Sequence, residues 1–185
     1  DSRWFLGFNS SSRVEFLVDD TDTYTQFLST ATYTDLGWHH HAVTFDRNGG
    51  SAGVKLYADG VLESSGDGDS QSKTLNHATY GLRIGTRTHG GSGAMDRPFN
   101  GNIDEVAIWN IALTSTEISA IYDNVRLDLS KDSGGYESSS NLKGWWRMGN
   151  GTGDTMVGGS GGLSDFHHSG ILDQASIAFG SNLLP

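Results

Sequence analysis

Short alternations of apolar and polar residues run along most of the chain, broken at close intervals by Gly, Asn, Asp and Ser. A period of two between turn residues marks half-buried strands, and helical periodicity is scarce. "RVEFLV" places Val14, Phe16 and Val18 on one face, and the acidic run at 19–22 closes that strand with residues suited to turns. "YTQFLS" follows as a partner strand. "HHHAVTF" points His39, His41, Val43 and Phe45 one way and His40, Ala42 and Thr44 the other. "VKLYADGVLESS" reads as two strands about Asp59-Gly60, a dipeptide fitted to a hairpin turn with positive φ.

"YGLRIGTR" predicts a further strand. In "IDEVAIWN" the alternation sets Asp104, Val106 and Ile108 against Ile103, Glu105, Ala107 and Trp109, and apolar residues on both sides predict a strand covered on both faces. One helix is expected, in "LTSTEISAIYDN". Thr114 and Glu117 have the spacing of a capping box, and Ile118 and Ile121 form an i, i+3 stripe. A polar run, "SKDSGGYESSSN", separates this helix from the apolar "LKGWWRMG", after which the chain is again rich in glycine.

Composition supports an all-β class. Glycine is 26 of 185 residues, about double the ordinary share, while proline is only two, so the glycines punctuate turns more than they soften a linker. The length suits one sandwich, and dividing it would leave two cores near the lower size limit. The organisation expected is a sandwich over residues 1–130, a linker or surface loop at 131–140, and a C-terminal segment at 141–185 that supplies a strand to this sandwich or to a neighbouring copy.

Charge and cysteine content narrow the chemistry. The formal net charge is −10 with no cluster of Lys or Arg, which argues against nucleic acid as a partner. No apolar run approaches the ~20 residues of a membrane span, so no membrane insertion is expected. The absence of cysteine removes disulfides, thiolate zinc sites and cysteine nucleophiles together.

Several motifs, taken in order, resemble a known family. "GWHHHAVTFDR", "VKLYADG", "LRIG" and "FNGNIDEVAIWNIALTSTEI" look like the laminin-G-like modules of the concanavalin A-like jelly-roll superfamily, and "LKGWWRMGNGTGDT" resembles the opening strand of such modules in bacterial surface proteins and marine phage virion proteins. The resemblance implies a sandwich of two antiparallel sheets with one curved face and with loops that hold calcium or sugar in some members. The same fold hosts lectins, adhesion modules, glycosidases and structural domains, so it does not by itself name an activity. Members usually carry an aliphatic residue after Trp-His-His; here that place is taken by His41, facing the side of Val43 and Phe45.

Catalysis is disfavoured by the carboxylates. Retaining glycosidases need two about 5 to 5.5 Å apart, and those of this fold place them on alternate residues of one strand as Glu-x-Asp-x-x-Glu. Here Asp104 and Glu105 are immediate neighbours with no further acid at 106–108. The chain is therefore expected not to be an enzyme. Zinc would use His39 and His41, an i, i+2 pair on a strand, plus a third ligand such as His77, His89, His167 or His168 that nothing in the sequence places; an ordinary strand with one inward histidine explains the triplet better.

Calcium is the candidate cofactor, because hard cations take several loop oxygens. Its candidate ligands are Asp19, Asp20, Asp22 and Asp96, with Asp67 and Asp69 as another acidic turn; the competing reading is solvated turn aspartates. The Gly-rich loop at 88–102 has the length at which loops carry function. With it come the candidate ligand-binding residues His89, Asp96, Arg97 and Asn100, joined by Trp146 as a stacking platform for a sugar ring. Sequence reasoning thus predicts a lectin-like attachment module on an extracellular or virion surface, with a glycan or surface polysaccharide, further copies of itself, or a larger surface assembly as partners. A purely structural surface protein and a diverged glycosidase are the alternatives.

Overall fold

A computed structural model describes residues 3–19, 24–68, 82–88, 95–124, 126–147 and 174–183; positions 88, 95–96 and 174–183 are described as backbone. Strands β1 (Arg3–Phe8), β2 (Val14–Asp19) and β3 (Tyr24–Leu28) form an antiparallel sheet in that order. Strands β4 (His39–Asp46), β5 (Val54–Ala58), β6 (Val61–Gly66), β7 (Arg87–Thr88), β8 (Met95–Asp96) and β9 (Gly101–Trp109) follow in the chain. They precede helix α1 (Ser115–Asp123), β10 (Leu142–Trp146) and β11 (Gln174–Leu183). A six-stranded antiparallel sheet runs β10-β9-β11-β4-β5-β6, while among the described strands β7 and β8 form a two-stranded sheet of their own. The result is an all-β sandwich with one helix.

The alternation read from the sequence determines how the layers meet. Val14, Phe16 and Val18 of β2 join Val43 and Phe45 of β4, Leu56 of β5 and Val106 and Ile108 of β9 in the core between the sheets. The other face of the large sheet is also covered. Ala42, Tyr57, Ala107, Trp109 and Trp145 pack there against Ile118 of α1 and against Leu127, Leu129 and Tyr136. Tyr136 staples this layer: its hydroxyl accepts from Trp109 Nε1 at 2.7 Å and donates to the Leu129 carbonyl at 3.0 Å. Residues 131–140 therefore run as a surface segment anchored by a fully buried tyrosine.

Local signals place several turns. Asp59 and Gly60 adopt φ of 48° and 77°, the positive pair that a two-residue hairpin turn between β5 and β6 requires. A side chain at 60 would also collide with the Tyr122 ring, whose Cδ1 lies 2.9 Å from the position of a Cβ. At α1, Thr114 Oγ1 accepts from the Glu117 amide while the Glu117 carboxylate accepts from the Thr114 amide, the reciprocal cap that the spacing predicts.

Three expectations are corrected. The strand expected in "YGLRIGTR" is confined, among the described residues, to Arg87–Thr88. Leu82 and Ile84 still pack on the core, but Gly85 turns the backbone at φ 81° before β7 begins. In β9 the alternation slips: Glu105 sits at φ 51° and the register with β11 shifts between Ala178 and Gly180, as in a β-bulge. The extra residue carries Ile103 to the core side, with Val106 and Ile108, instead of to the side of Ala107 and Trp109. Finally, Trp146, expected as a stacking platform, is 3% exposed, because it and Trp145 face opposite sides of a strand that is covered on both.

β11 had no clear signal. It lies between β4 and β9, antiparallel to both, pairing Ile177 with Val43 on one side and with Ile108 on the other. The central ladder of the large sheet is thus built partly from the C-terminal segment of the chain.

Candidate functional site

The outward face of the three-stranded sheet carries a polar network joined to the Gly-rich loop region. With Val14, Phe16 and Val18 turned inward, Glu15, Leu17 and Asp19 must face outward. The register sets Glu15 between Gly7 and Leu28, Leu17 between Phe5 and Gln26, and Asp19 between Arg3 and Tyr24. Glu15 is nonetheless only 1% exposed. A buried carboxylate is costly unless paired and hydrogen-bonded, and both conditions are met: Gln26 Nε2 donates to Oε1 at 2.7 Å and Arg97 Nη1 to Oε2 at 2.9 Å.

Arg97 reaches this point from just beyond β8, and Arg87 from β7, so residues within and just before the Gly-rich loop lie against the face of the small sheet. Their guanidinium carbons stand 5.9 and 5.6 Å from the centre of the Phe5 ring, within range for cation–π attraction. Arg3 pairs with Asp19 at 3.2 Å along the same face. The Arg97 backbone has φ 48°, a conformation that costs a side-chain-bearing residue about 1–2 kcal/mol. Strain of this kind persists only where surrounding contacts hold it, here the ion pair to Glu15, and it concentrates at functional positions. An aromatic ring flanked by guanidinium donors, an amide and a carboxylate is chemically suited to a hydroxyl-rich ring ligand.

The candidate residues fare differently. Arg97 is at the centre of this network, and Asn100 is exposed close after it in the chain. Trp146 is in the core between the sheets and offers no ring to a ligand, because its strand is covered on both sides. Asp19 is engaged by Arg3. His89, Asp20 and Asp22 lie outside the described residues, as does the side chain of Asp96. Among the described residues, no group of three or more metal-ligating side chains is assembled. Phe5, Glu15, Gln26 and Arg87 were missed. Glu15 had one signal, a lone charge inside the apolar "VEFLV", but its arginine partner lies 82 residues away, beyond any spacing rule.

The histidine triplet sits elsewhere, at one end of the large sheet. His41 is fully buried, edge-on to Phe8 at 5.2 Å and Tyr33 at 4.8 Å. Burial pushes its pKa down to about 3, and that of His40, whose ring lies 6.1 Å from Tyr122, down to about 4. His39 differs: Nδ1 lies 2.8 Å from Asp59 Oδ2 and Nε2 lies 2.9 Å from Asp35 Oδ1. Burial opposes its charged form, but the bonds to Asp59 and Asp35 outweigh that and raise its pKa. With both ring nitrogens of His39 committed to carboxylates, the i, i+2 pair does not present a zinc site.

The strand acids act as braces. Asp104 Oδ1 accepts from the Glu105 amide at 2.8 Å. Glu105 accepts from Trp145 Nε1 at 2.7 Å and lies 3.5 Å from Arg147 Nε, whose guanidinium stacks over the Trp145 ring at 4.7 Å. The bulged carboxylate thereby ties β10 to β9.

Fold and geometry define the class as a lectin-like jelly-roll sandwich. The family model of the concanavalin A-like lectin/glucanases superfamily matches residues 1–119, from before β1 into α1, and the chain belongs to that superfamily as a laminin-G-like domain. Neither a curated protein nor a solved structure matches the chain significantly. Laminin-G-like domains are in general non-catalytic binding modules. Among the described residues, no helix is long and apolar enough to cross a membrane.

Proposed function

We propose that this chain is a non-catalytic, lectin-like attachment module of an extracellular or virion surface, and that it takes a glycan on the outward face of β1–β3. The observation that carries this reading is Glu15, a carboxylate buried on the side of the sheet away from the core and held by Gln26 and Arg97 beside the Phe5 ring. Core packing does not call for a charge there; a polar recognition face does. The roles of Asp104 and Glu105 as braces of β9 and β10 support holding over hydrolysis. A glycan array probed with the full chain and with Gln26→Ala and Arg97→Lys tests the reading. Binding by the parent that both variants lose while still folded at the assay temperature is expected; no glycan bound, or binding indifferent to both, contradicts it.

A second reading, a structural surface protein assembling through its strands, is favoured by β11. A strand inserted between β4 and β9 and contributed by the C-terminal segment is one that a neighbouring copy could equally contribute. Light scattering across a concentration series distinguishes the two: a stable monomer weighs against assembly.

A further inference from the structure

We propose that His39 is a proton-operated latch that ties the 33–38 loop, with its exposed Leu36 and Trp38, to the hairpin turn at Asp59-Gly60. The hydrogen-bond count requires it. A neutral imidazole has one N–H and one bare lone pair, so it can donate to one carboxylate only. His39 has a carboxylate oxygen within 3 Å of each ring nitrogen, Asp59 at 2.8 Å and Asp35 at 2.9 Å. Only the imidazolium satisfies both.

The two partners are unequal. Asp59 also accepts the His40 amide at 2.9 Å, is the less exposed carboxylate, and stands in the hairpin turn. Asp35 is 65% exposed and otherwise accepts only the Gly37 amide of its own loop among the bonds described for it. Loss of one proton from His39 therefore releases Asp35 first, and with it the tether between the loop and the sheet end.

The other groups facing His39 keep their charge while it titrates. Tyr33, whose ring meets His39 at 5.1 Å, has its pKa pushed up to about 12 by burial. His41, 6.0 Å away, and the neighbouring His40 stay neutral above about pH 5. Glu63, at the back of Tyr33 and His41, is held as a carboxylate by the Thr30 hydroxyl and by the Ala31 amide. Asp35 is likewise held charged, chiefly by His39 itself.

What the latch positions is an apolar surface. Among the described residues, Leu36, Trp38, Val61, Leu62 and Tyr122 are exposed large apolar side chains, and their elements converge on Asp59-Gly60. Tyr122 packs on Gly60, the Ser119 hydroxyl donates to the Gly60 carbonyl at 3.2 Å, and Val61 opens the strand after the turn. Latched, the loop holds Leu36 and Trp38 at this end of the sandwich; unlatched, it gives them freedom.

Imidazole-detected NMR of the full chain from pH 5 to 9, with acrylamide quenching of tryptophan emission over the same range, tests the latch. His39 is expected to carry both ring protons at pH 6 and to lose one in a step above 6.5, with quenching rising in that step. The quenching step should vanish in His39→Gln and in Trp38→Phe, while Asp35→Asn should shift the His39 step to lower pH. A His39 step at or below 6.5, a quenching step that survives in His39→Gln, or a His39 titration with flat quenching overturns it.

Discussion

His41 shows how one side chain can couple packing to pH. Members of the family usually place an aliphatic residue at this position, and here an imidazole is packed edge-on to two aromatic rings in the core. Its folded pKa of about 3 lies below the unfolded value near 6.5, as does that of His40 at about 4. The unfolded chain therefore binds more protons as pH falls. Stability from both residues is complete above 6.5 and is lost progressively below it, by about 2 kcal/mol per histidine at pH 5. His39 opposes this trend: its raised pKa contributes stability below 6.5 that is lost as pH rises through its folded value. Urea unfolding at pH 7 and pH 5 should show a marked loss for the parent and roughly half that loss for His41→Val. An identical loss in His41→Val would contradict the assignment.

Strands and the helix differ in how far local pattern determines them. β4, the β5–β6 hairpin and α1 can all be read from spacing, because alternation, Asp-Gly and the Thr114–Glu117 box each act over a few residues. Thr114→Ala should lower stability by about 1 kcal/mol through loss of the cap, and Gly60→Ala by about as much or more, since φ 77° disfavours a Cβ that the Tyr122 ring would also meet. Thermal melts of both variants check this; an unchanged melting temperature for Gly60→Ala would mean that the turn relaxes without cost. The phase of β9 could not be read, because a bulge at a non-glycine residue leaves no compositional trace. β11 was equally hidden: "QASIAFGSNL" mixes small residues and glycine, and its place in the sheet is decided by two partners distant in the chain. Glu15 belongs to the same category, since "VEFLV" shows an odd charge but not the arginine that satisfies it.

Taken together, the two sheets and the outer layer make a three-tiered body in which β4, β5 and β9 are covered on both sides. That architecture explains why four of the five tryptophans, Trp4, Trp109, Trp145 and Trp146, pack into cores and why a stacking role for Trp146 fails. It also makes β11 central to integrity. Removing residues 174–183 would leave β4 and β9 with unpaired edges in the middle of the sheet, and unpaired edges invite association. Such a deletion should abolish cooperative unfolding or drive aggregation, as circular dichroism melts and light scattering would show; a monomeric, cooperatively folded product would mean that β4 and β9 close up without it.

The proposed recognition surface is the outward face of β1–β3, on the side of that sheet away from the core. Amide chemical-shift mapping with the strongest glycan from the array reads that assignment most directly. Perturbations centred on Phe5, Glu15, Gln26 and Arg97, with the amides of 35–38 and 59–62 unmoved, are the predicted result. Perturbations centred on Trp38 and the hairpin turn, with the β1–β3 face silent, would contradict it.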